Sequence, residues 1–374
     1  MSPVGGDTNR GFPPWAVSPP PTFNSIFRLF EIKRIFIIIL MLTILNSCKK
    51  EAVRLSTDTN DIFWLSNAGA DMPIWVKGNT ASKIMILFIH GGPGDGSYSY
   101  TGFETDQLWK QYSIAYWDQR DAGASAGNNN YSNLSFDQMI DDLQKLVIVL
   151  KFRYGTDMEI FLMGHSFGGL LGSGYLVNGV NQQNIRGWIE VDGAHDYPES
   201  NTLERQMLID TGISEIAKGN YVPQWNPMVN YCNDHPANTA VDIDLQIDDY
   251  AAQAENYVNI NHTNPGIDYF SVSSPVSLGV NAYKLYYTTA GKQFLESIEP
   301  LSYTDQLYKI TIPSLLIWGK YDFTVPVASG THALTNLGST YKHLVIMPHS
   351  GHIPMNGDPD LFAQTVTEFI EAVR

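Results

Sequence analysis

Apolar residues along this chain arrive in two rhythms. Short unbroken apolar runs that end in glycine or a polar residue predict strands buried on both faces. They are "KIMILFIHGG" (83–92), "YSIAYWDQRD" (112–121), "EIFLMGHS" (159–166), "IRGWIEVDGA" (185–194), "IPSLLIWGKYD" (312–322) and "KHLVIMPHSGH" (342–352). Between them lie stretches with apolar residues three and four apart, the spacing of a helix with one buried stripe. "SFDQMIDDLQKLVIVLKFRYG" (135–155) has Ser135 placed to cap its start and Gln138 three residues on, as in a capping box. "FGGLLGSGYLVNG" (167–179) and the closing "DLFAQTVTEFIEAV" (360–373) are two more. Ahead of all these, "DIFWLS" and "MPIWVKG" read as a leading hairpin. Strand alternating with helix predicts an α/β fold, a mostly parallel, doubly wound sheet with helices on both faces. Ligands bind such sheets beyond the carboxyl ends of the strands. His90, Asp118, Ser166, Asp192, Asp322 and His352 all fall at those ends.

The alternation breaks over residues 197–305. That stretch is rich in Asn, Tyr, Asp and Gln and has helical spacing in "LERQMLIDTGISEIAKG" and "IDDYAAQAENYVNI". It reads as a mostly helical cap inserted between two strands. The core is then 61–196 together with 306–374. The aromatic stretches "YVPQWNPMVNYC" and "NAYKLYYTT" are expected to pack the cap more than to line a pocket.

The N-terminus has a third pattern. In "KRIFIIILMLTILNSC" (33–48), two basic residues precede an apolar run too short to span a bilayer. Its end resembles a bacterial lipoprotein signal, with Leu45 three residues before Cys48 and small Ser47 just before it. The resemblance implies that residues 1–47 are removed, that Cys48 is lipidated, and that 48–60 tether the domain to a membrane of the bacterial cell envelope. The rival reading is an uncleaved anchor helix. Residues 1–25, rich in Pro and Gly, are unusual ahead of a signal.

Composition narrows the partners. The 374 residues are 44% hydrophobic and 16% charged, enough for a sizeable core, with a formal net charge of −15. Removing residues 1–47 would make the chain more acidic still. That balance argues against nucleic-acid binding, which needs clustered Lys and Arg. Cys48 and Cys232 are the two cysteines, too few for a cysteine-based zinc site. No metal or cofactor is expected, and Cys232 reads as a small buried residue.

Four needs of serine acyl transfer can be filled from the strand ends. Ser166, in the Gly-x-Ser-x-Gly pattern of Gly164–Gly168, lies between a buried strand and a helix, the setting of a nucleophile on a sharp turn. The backbone N–H of Phe167 is one oxyanion donor, and "HGGPG" (90–94) offers Gly92 N–H as the second. Asp322 is the orienting acid, with Asp192 its rival, and His352 is the base, with His349 its rival. The order Ser…Asp…His is that of the α/β hydrolases.

At these residues the chain resembles the α/β-hydrolase superfamily, and within it the proline iminopeptidase group of serine peptidases. "HGGPG" matches that group's oxyanion loop, and "WDQRDAGASAG" (117–127) resembles its strand and turn "DQRGxGxS". The resemblance covers roughly 60–195 and 306–374. It implies the triad Ser166, Asp322, His352 and a short-peptide substrate with a free N-terminus. Two departures stand out. Asp121 occupies a position where the group has glycine, and the elbow reads "GHSFGG" rather than "GGSWGS". The group's cap carries glutamates that hold the substrate ammonium; Glu199, Glu204, Glu215 and Glu255 are available here, none in a recognisable motif. A carboxylesterase, another small-molecule α/β-hydrolase with the same triad, or a silent binding protein on this fold are the competing expectations.

Overall fold

The computed structural model describes residues 59–97, 105–125, 134–236, 240–258 and 275–374. The expected signal, Cys48 and most of the tether lie outside the described residues. Among the described residues eight strands form one sheet: β1 (Thr59–Asn67), β2 (Ala70–Gly78), β3 (Ile84–Ile89), β4 (Ser113–Trp117), β5 (Glu159–His165), β6 (Gly187–Val191), β7 (Ser314–Gly319) and β8 (Lys342–Met347). Their spatial order is β1-β2-β4-β3-β5-β6-β7-β8. The β1–β2 hairpin and the β2–β4 pair are antiparallel, and every pair from β4 to β8 is parallel. This is the expected mostly parallel sheet with a leading hairpin.

The unbroken apolar runs are central strands because helices cover both faces. α1 (Thr105–Gln111) and the closing α11 (Pro359–Val373) bury Leu108, Phe362, Val366 and Phe369 on one face. α2 (Phe136–Tyr154) and α3 (Phe167–Leu176) pack the other through Leu143, Leu146, Leu150, Leu170 and Leu171. Each fully buried leucine contributes about 1.5–3 kcal/mol. Ser135 caps α2 as expected, its Oγ accepting from Gln138 N at 3.2 Å. The box is only half built, since the Gln138 amide donates to Asp141 and Asp142 instead. β8 lies at the sheet edge, where Met347 is its one buried residue.

Between β6 and β7 the described residues form α4 (Tyr197–Lys218), α5 (Val222–Asp234), α6 (Val241–Val258), α7 (Pro275–Tyr287) and α8 (Thr289–Ile298). α4, α5 and α6 enclose a separate apolar cluster of Leu208, Trp225, Met228, Cys232, Ile247, Ala251 and Ala254, which Phe323 enters from the loop after β7, whereas Leu285 of α7 and Phe294, Leu295 and Ile298 of α8 join the sheet's core. Trp225 and Cys232 are thus packing residues, whereas Tyr283 and Tyr287 stack on each other in solvent. Beyond β7, α9 (Val327–Asn336) returns to the sheet and α10 (Pro354–Gly357) is a single turn. Among the described residues no helix is long and apolar enough to cross a membrane.

Candidate active site

Ser166 ends β5 and starts α3 with φ 55° and ψ −120°, a conformation that L-residues avoid. The turn is held from both sides. Ser166 N donates to Val191 O at 3.1 Å, and Ser166 O accepts from Gly169 N and Ala194 N. Strain of this kind persists only where the surroundings over-determine it. The flanking glycines are steric necessities: a Cβ on Gly168 would lie 2.1 Å from Ile89 O, and one on Gly164 2.3 Å from Gly168 O. Phe167 follows Ser166, fully buried at the first turn of α3.

The glycine loop after β3 abuts this turn. A Cβ on Gly91 would stand 3.0 Å from Ser166 Cβ, and Gly92 has φ +106°. His90, a candidate for chemistry by its strand-end position, instead organises the loop. Its Nε2 accepts from Gln119 N at 3.1 Å, so its proton sits on Nδ1 and donates to Gly91 O at 2.8 Å. Burial holds its pKa down, in keeping with a neutral ring. Asp118 is likewise a scaffold, accepting from Ser97 N, Ser97 Oγ and Ala124 N. Asp121 has φ 55°, which is why a glycine suits that place; aspartate is among the few side chains that tolerate it.

Asp322 and His352 come together from the loops after β7 and β8. Asp322 is fully buried; its Oδ1 accepts from Val325 N at 2.8 Å and its Oδ2 pairs with His352 Nδ1 at 3.0 Å. That fixes Nε2 as the free basic nitrogen of His352. Among the described residues no hydrogen bond joins His352 to Ser166. Such bonds often tighten only when substrate is bound. Burial opposes a charge on His352, but the Asp322 carboxylate, its hydrogen bond, Glu255 and Asp248 outweigh it and push the pKa up to about 9. His165 packs against His352, ring centroids 4.9 Å apart, and its Nε2 lies 2.6 Å from His352 O. Burial, with the neighbouring His352, drops His165 to about 3, so it stays neutral.

Both rivals are accounted for. His349 pairs with Asp358 at 2.7 Å on a largely exposed side chain. Asp192 lies beside the dyad without pairing with His352: its Oδ1 accepts from Gly319 N at 2.8 Å. Burial and the charge of Asp322 raise its pKa well above the ordinary carboxylate value. His165, Asp192 and His352 also bring donor atoms within 4.8 Å of one another, but they belong to the dyad's own surroundings.

The helical segment adds groups that the linear sequence concealed. Glu204 of α4 is 1% exposed, and its carboxyl faces that of Asp248 on α6 closely enough to share a proton. Burial and Asp248 push Glu204 well up; burial and Asp244 bring Asp248 to about 7. Asp244 and Glu299 form a second such pair, Glu299 raised to about 8 by burial and Asp244. Asp248 acts on His352, and Asp322 on Glu204, so the first pair lies within electrostatic reach of the dyad. Of the other available glutamates, Glu199 binds His332, Glu215 binds Lys218 and Asn220 at the surface, and Glu255 turns to the loops after β7 and β8. Asp244 and Glu255 lie on the buried stripe of α6 with Ile247, Ala251 and Ala254, and the half-buried Asp248 sits one turn after Asp244. Carboxylates on a stripe that must be buried were the available signal.

The fold and its relatives agree. The profile of the family described as "Serine aminopeptidase, S33" matches residues 80–256. A proline iminopeptidase of Saccharolobus solfataricus is 27% identical over 310 residues, covering 80% of this chain and 87% of the relative. One from Flavobacterium johnsoniae is 23% identical, over 81% of this chain and 95% of its own. Among solved structures, a proline iminopeptidase of Mycobacterium smegmatis superposes with a TM-score of 0.59 at 15% identity, over 83% of this chain and 98% of that one. A bacterial membrane phospholipase A gives 0.56 at 16%, covering 84% and 87%. The chain has the α/β-hydrolase fold.

Proposed function

We propose that this protein, an enzyme of the α/β-hydrolase type, is a serine aminopeptidase that releases an N-terminal residue, proline foremost, from short peptides or aminoacyl amides. Residues 197–305 act as the cap over a core of 61–196 and 306–374. Ser166 is the nucleophile. His352 Nε2 takes the Ser166 hydroxyl proton as Oγ bonds to the scissile carbonyl carbon. Asp322 holds the imidazole by Nδ1 and stabilises the charge it gains. Phe167 and Gly92 N–H groups receive the oxyanion, helped by the field at the start of α3. His352 then returns the proton to the departing amine as the C–N bond breaks. Water, deprotonated by the same nitrogen, attacks the acyl-enzyme and frees Ser166.

One observation favours an aminopeptidase over an esterase: the buried Glu204–Asp248 pair within electrostatic reach of His352. An α-ammonium group placed against two carboxyls that share a proton displaces that proton and takes up the charge. A neutral ester offers no such gain. The relatives named proline iminopeptidase support the same substrate class. The elbow "GHSFGG", common in esterases, favours the second reading, a carboxylesterase. The proposal also places the mature chain in a bacterial envelope, held by lipid on Cys48.

The deciding assay compares prolyl-, alanyl- and leucyl-naphthylamide with p-nitrophenyl acetate and butyrate, beside Ser166→Ala. Selective amide turnover that disappears in the variant supports the aminopeptidase. Ester turnover alone assigns a carboxylesterase. No turnover, with no fluorophosphonate labelling of Ser166, rejects both and leaves a binding protein.

A further inference from the structure

We propose that Glu255, although it belongs to the helical cap, is a positioning residue for the catalytic dyad: it braces together the two loops that carry Asp322 and His352. The inference rests on the assignment of that dyad in the proposed function. Glu255 lies on α6, in a segment separate from the sheet, yet its carboxylate ends among the backbone amides of the core. Its Oε1 accepts from His352 N at 3.0 Å and from Phe323 N at 3.3 Å, and its Oε2 lies 3.2 Å from His352 N. Phe323 directly follows Asp322. One carboxylate therefore ties the residue after the acid to the base itself, 29 positions apart in sequence.

The core is shaped to admit it. A Cβ on Gly351 would lie 2.0 Å from Glu255 Oε2, so only glycine leaves room for the carboxylate beside His352. Glu255 is 4% exposed, and both its oxygens are committed to these amides. It is thus not available to a substrate ammonium, unlike the Glu204–Asp248 pair. Two further contacts fasten the same cap to the loops after β3 and β4. Tyr286 Oη donates to Pro93 O at 3.0 Å in the oxyanion loop, and Asn281 Nδ2 to Gly123 O at 3.1 Å. The cap is joined to the loops on both sides of Ser166, and Glu255 is the contact that reaches the base.

Glu255 acts in a second way, through charge. His352 faces Asp322 from the β7 loop, Glu255 and Asp248 from α6, Asp192 from the end of β6 and His165 from β5. Glu255 raises the proton affinity of the imidazole; its own pKa, lifted by burial and by Asp322, reaches about 8.

The test uses Glu255→Ala, Glu255→Gln and Gly351→Ala in the full chain. The readouts are fluorophosphonate labelling of Ser166 and kcat and KM on p-nitrophenyl butyrate and on a prolyl amide, across pH. A misplaced base costs up to about 10²-fold. Glu255→Ala and Gly351→Ala are expected to lower kcat on both substrates by about that factor, with KM changed less than about twofold. Glu255→Gln, whose amide oxygen can still accept both N–H groups, is expected to restore most of the rate. It should also move the acid limb of kcat/KM to lower pH, which a merely structural brace would not do. Wild-type kcat and acid limb in a folded Glu255→Ala protein would overturn the proposal. A rise in KM confined to the prolyl amide would too, since it would make Glu255 a substrate ligand. If Glu255→Ala fails to fold, the Glu255→Gln acid limb decides: an unmoved limb rejects the role. Wild type that turns over substrate yet leaves Ser166 unlabelled sinks the dyad and this inference together, whereas labelled wild type with unaffected variants sinks only the inference.

Discussion

At the carboxyl end of the sheet, each candidate catalytic group is set by a few residues of its own neighbourhood. Ser166 stands between a strand and a helix, with glycines where Ile89 O and Gly168 O come close. Asp322 and His352 each follow a strand by a few residues and meet at 3.0 Å. In the helical cap the order is reversed. Glu204, Asp244, Asp248 and Glu255 come from α4 and α6 and Glu299 caps the end of α8; each is an ordinary surface-type residue until tertiary packing encloses it wholly or in part. The sheet therefore sets its candidate nucleophile by local geometry. The cap makes an acidic site out of assembly, at the cost of enclosing carboxyls that repel one another.

The largest effect that sharpens this comparison is loss of the local geometry's product. Ser166→Ala should lower kcat by at least about 10³-fold with the fold intact, as read by steady-state kinetics beside a thermal melt. Asp322→Asn should cost about 10⁴-fold, because the amide can no longer hold the Nδ1-protonated tautomer of His352. The pH profile follows from the same pair. The base must be unprotonated, and His352 is raised to about 9, so kcat/KM on an ester should climb with pH until about 9. A limb near the ordinary histidine value of 6.5 would show that the surrounding carboxylates do not act on it as described.

A second large effect concerns stability rather than rate. Arg120, part of the "DQR" stretch, makes a bidentate pair with Asp142 at 2.8 and 2.9 Å, both side chains almost fully enclosed. The guanidinium also reaches Ala68 O and Asn67 O in the β1–β2 turn. Asp142→Ala leaves that guanidinium buried without its partner and should cost about 3–5 kcal/mol in urea unfolding. Any protein that remains folded should keep its KM.

These contrasts explain what could be read in advance. The parallel sheet, the leading hairpin and the Ser135 cap were legible, and the expected partners Asp322 and His352 do meet at 3.0 Å. Apolar run length and strand-end position are short-range properties of the chain. Asp121 marks where such reading strains: its φ of 55° is invisible in a residue type that usually avoids it, and only the glycine of similar sequences hinted at the turn. His90 and Asp118 have strand-end placement too, yet hold loops rather than react, because position cannot distinguish a side chain aimed at substrate from one aimed at the backbone. Which carboxyls pair was not legible, although Asp244 and Glu255 on the buried stripe of α6 gave a signal that some are enclosed. Glu204 and Asp248 are 44 residues apart, and nothing in either neighbourhood specifies the other.

Glu204→Gln and Asp248→Asn test the cap where it differs most from the core. Each should raise KM for a prolyl amide by about 10- to 100-fold, the loss of one charge-assisted contact of roughly 1.5–3 kcal/mol, and leave p-nitrophenyl acetate hydrolysis nearly unchanged. Equal losses on both substrates would break the assignment of the pair to substrate recognition.

The smallest effect carries the opposite sign from every core substitution. A buried acid with a raised pKa binds its proton more tightly folded than unfolded, so it supports the fold at low pH and ceases to as pH rises. For Asp248, with an ordinary value of 3.8 and a folded value of about 7, stability falls between about pH 4 and pH 7 and then levels. Glu204 contributes in the same direction above the ordinary glutamate range. Replacing either by its amide removes the ionisation, so at pH 8 Glu204→Gln and Asp248→Asn should gain on the order of 1 kcal/mol and at pH 4 nearly nothing. Melts of both variants at the two pH values measure this. A gain at pH 8 joined to a raised KM would mean that the cap holds its carboxyls for a ligand and against its own stability. A loss at pH 8 would mean that the pair is an ordinary buried network, and the ammonium site would have to be sought elsewhere.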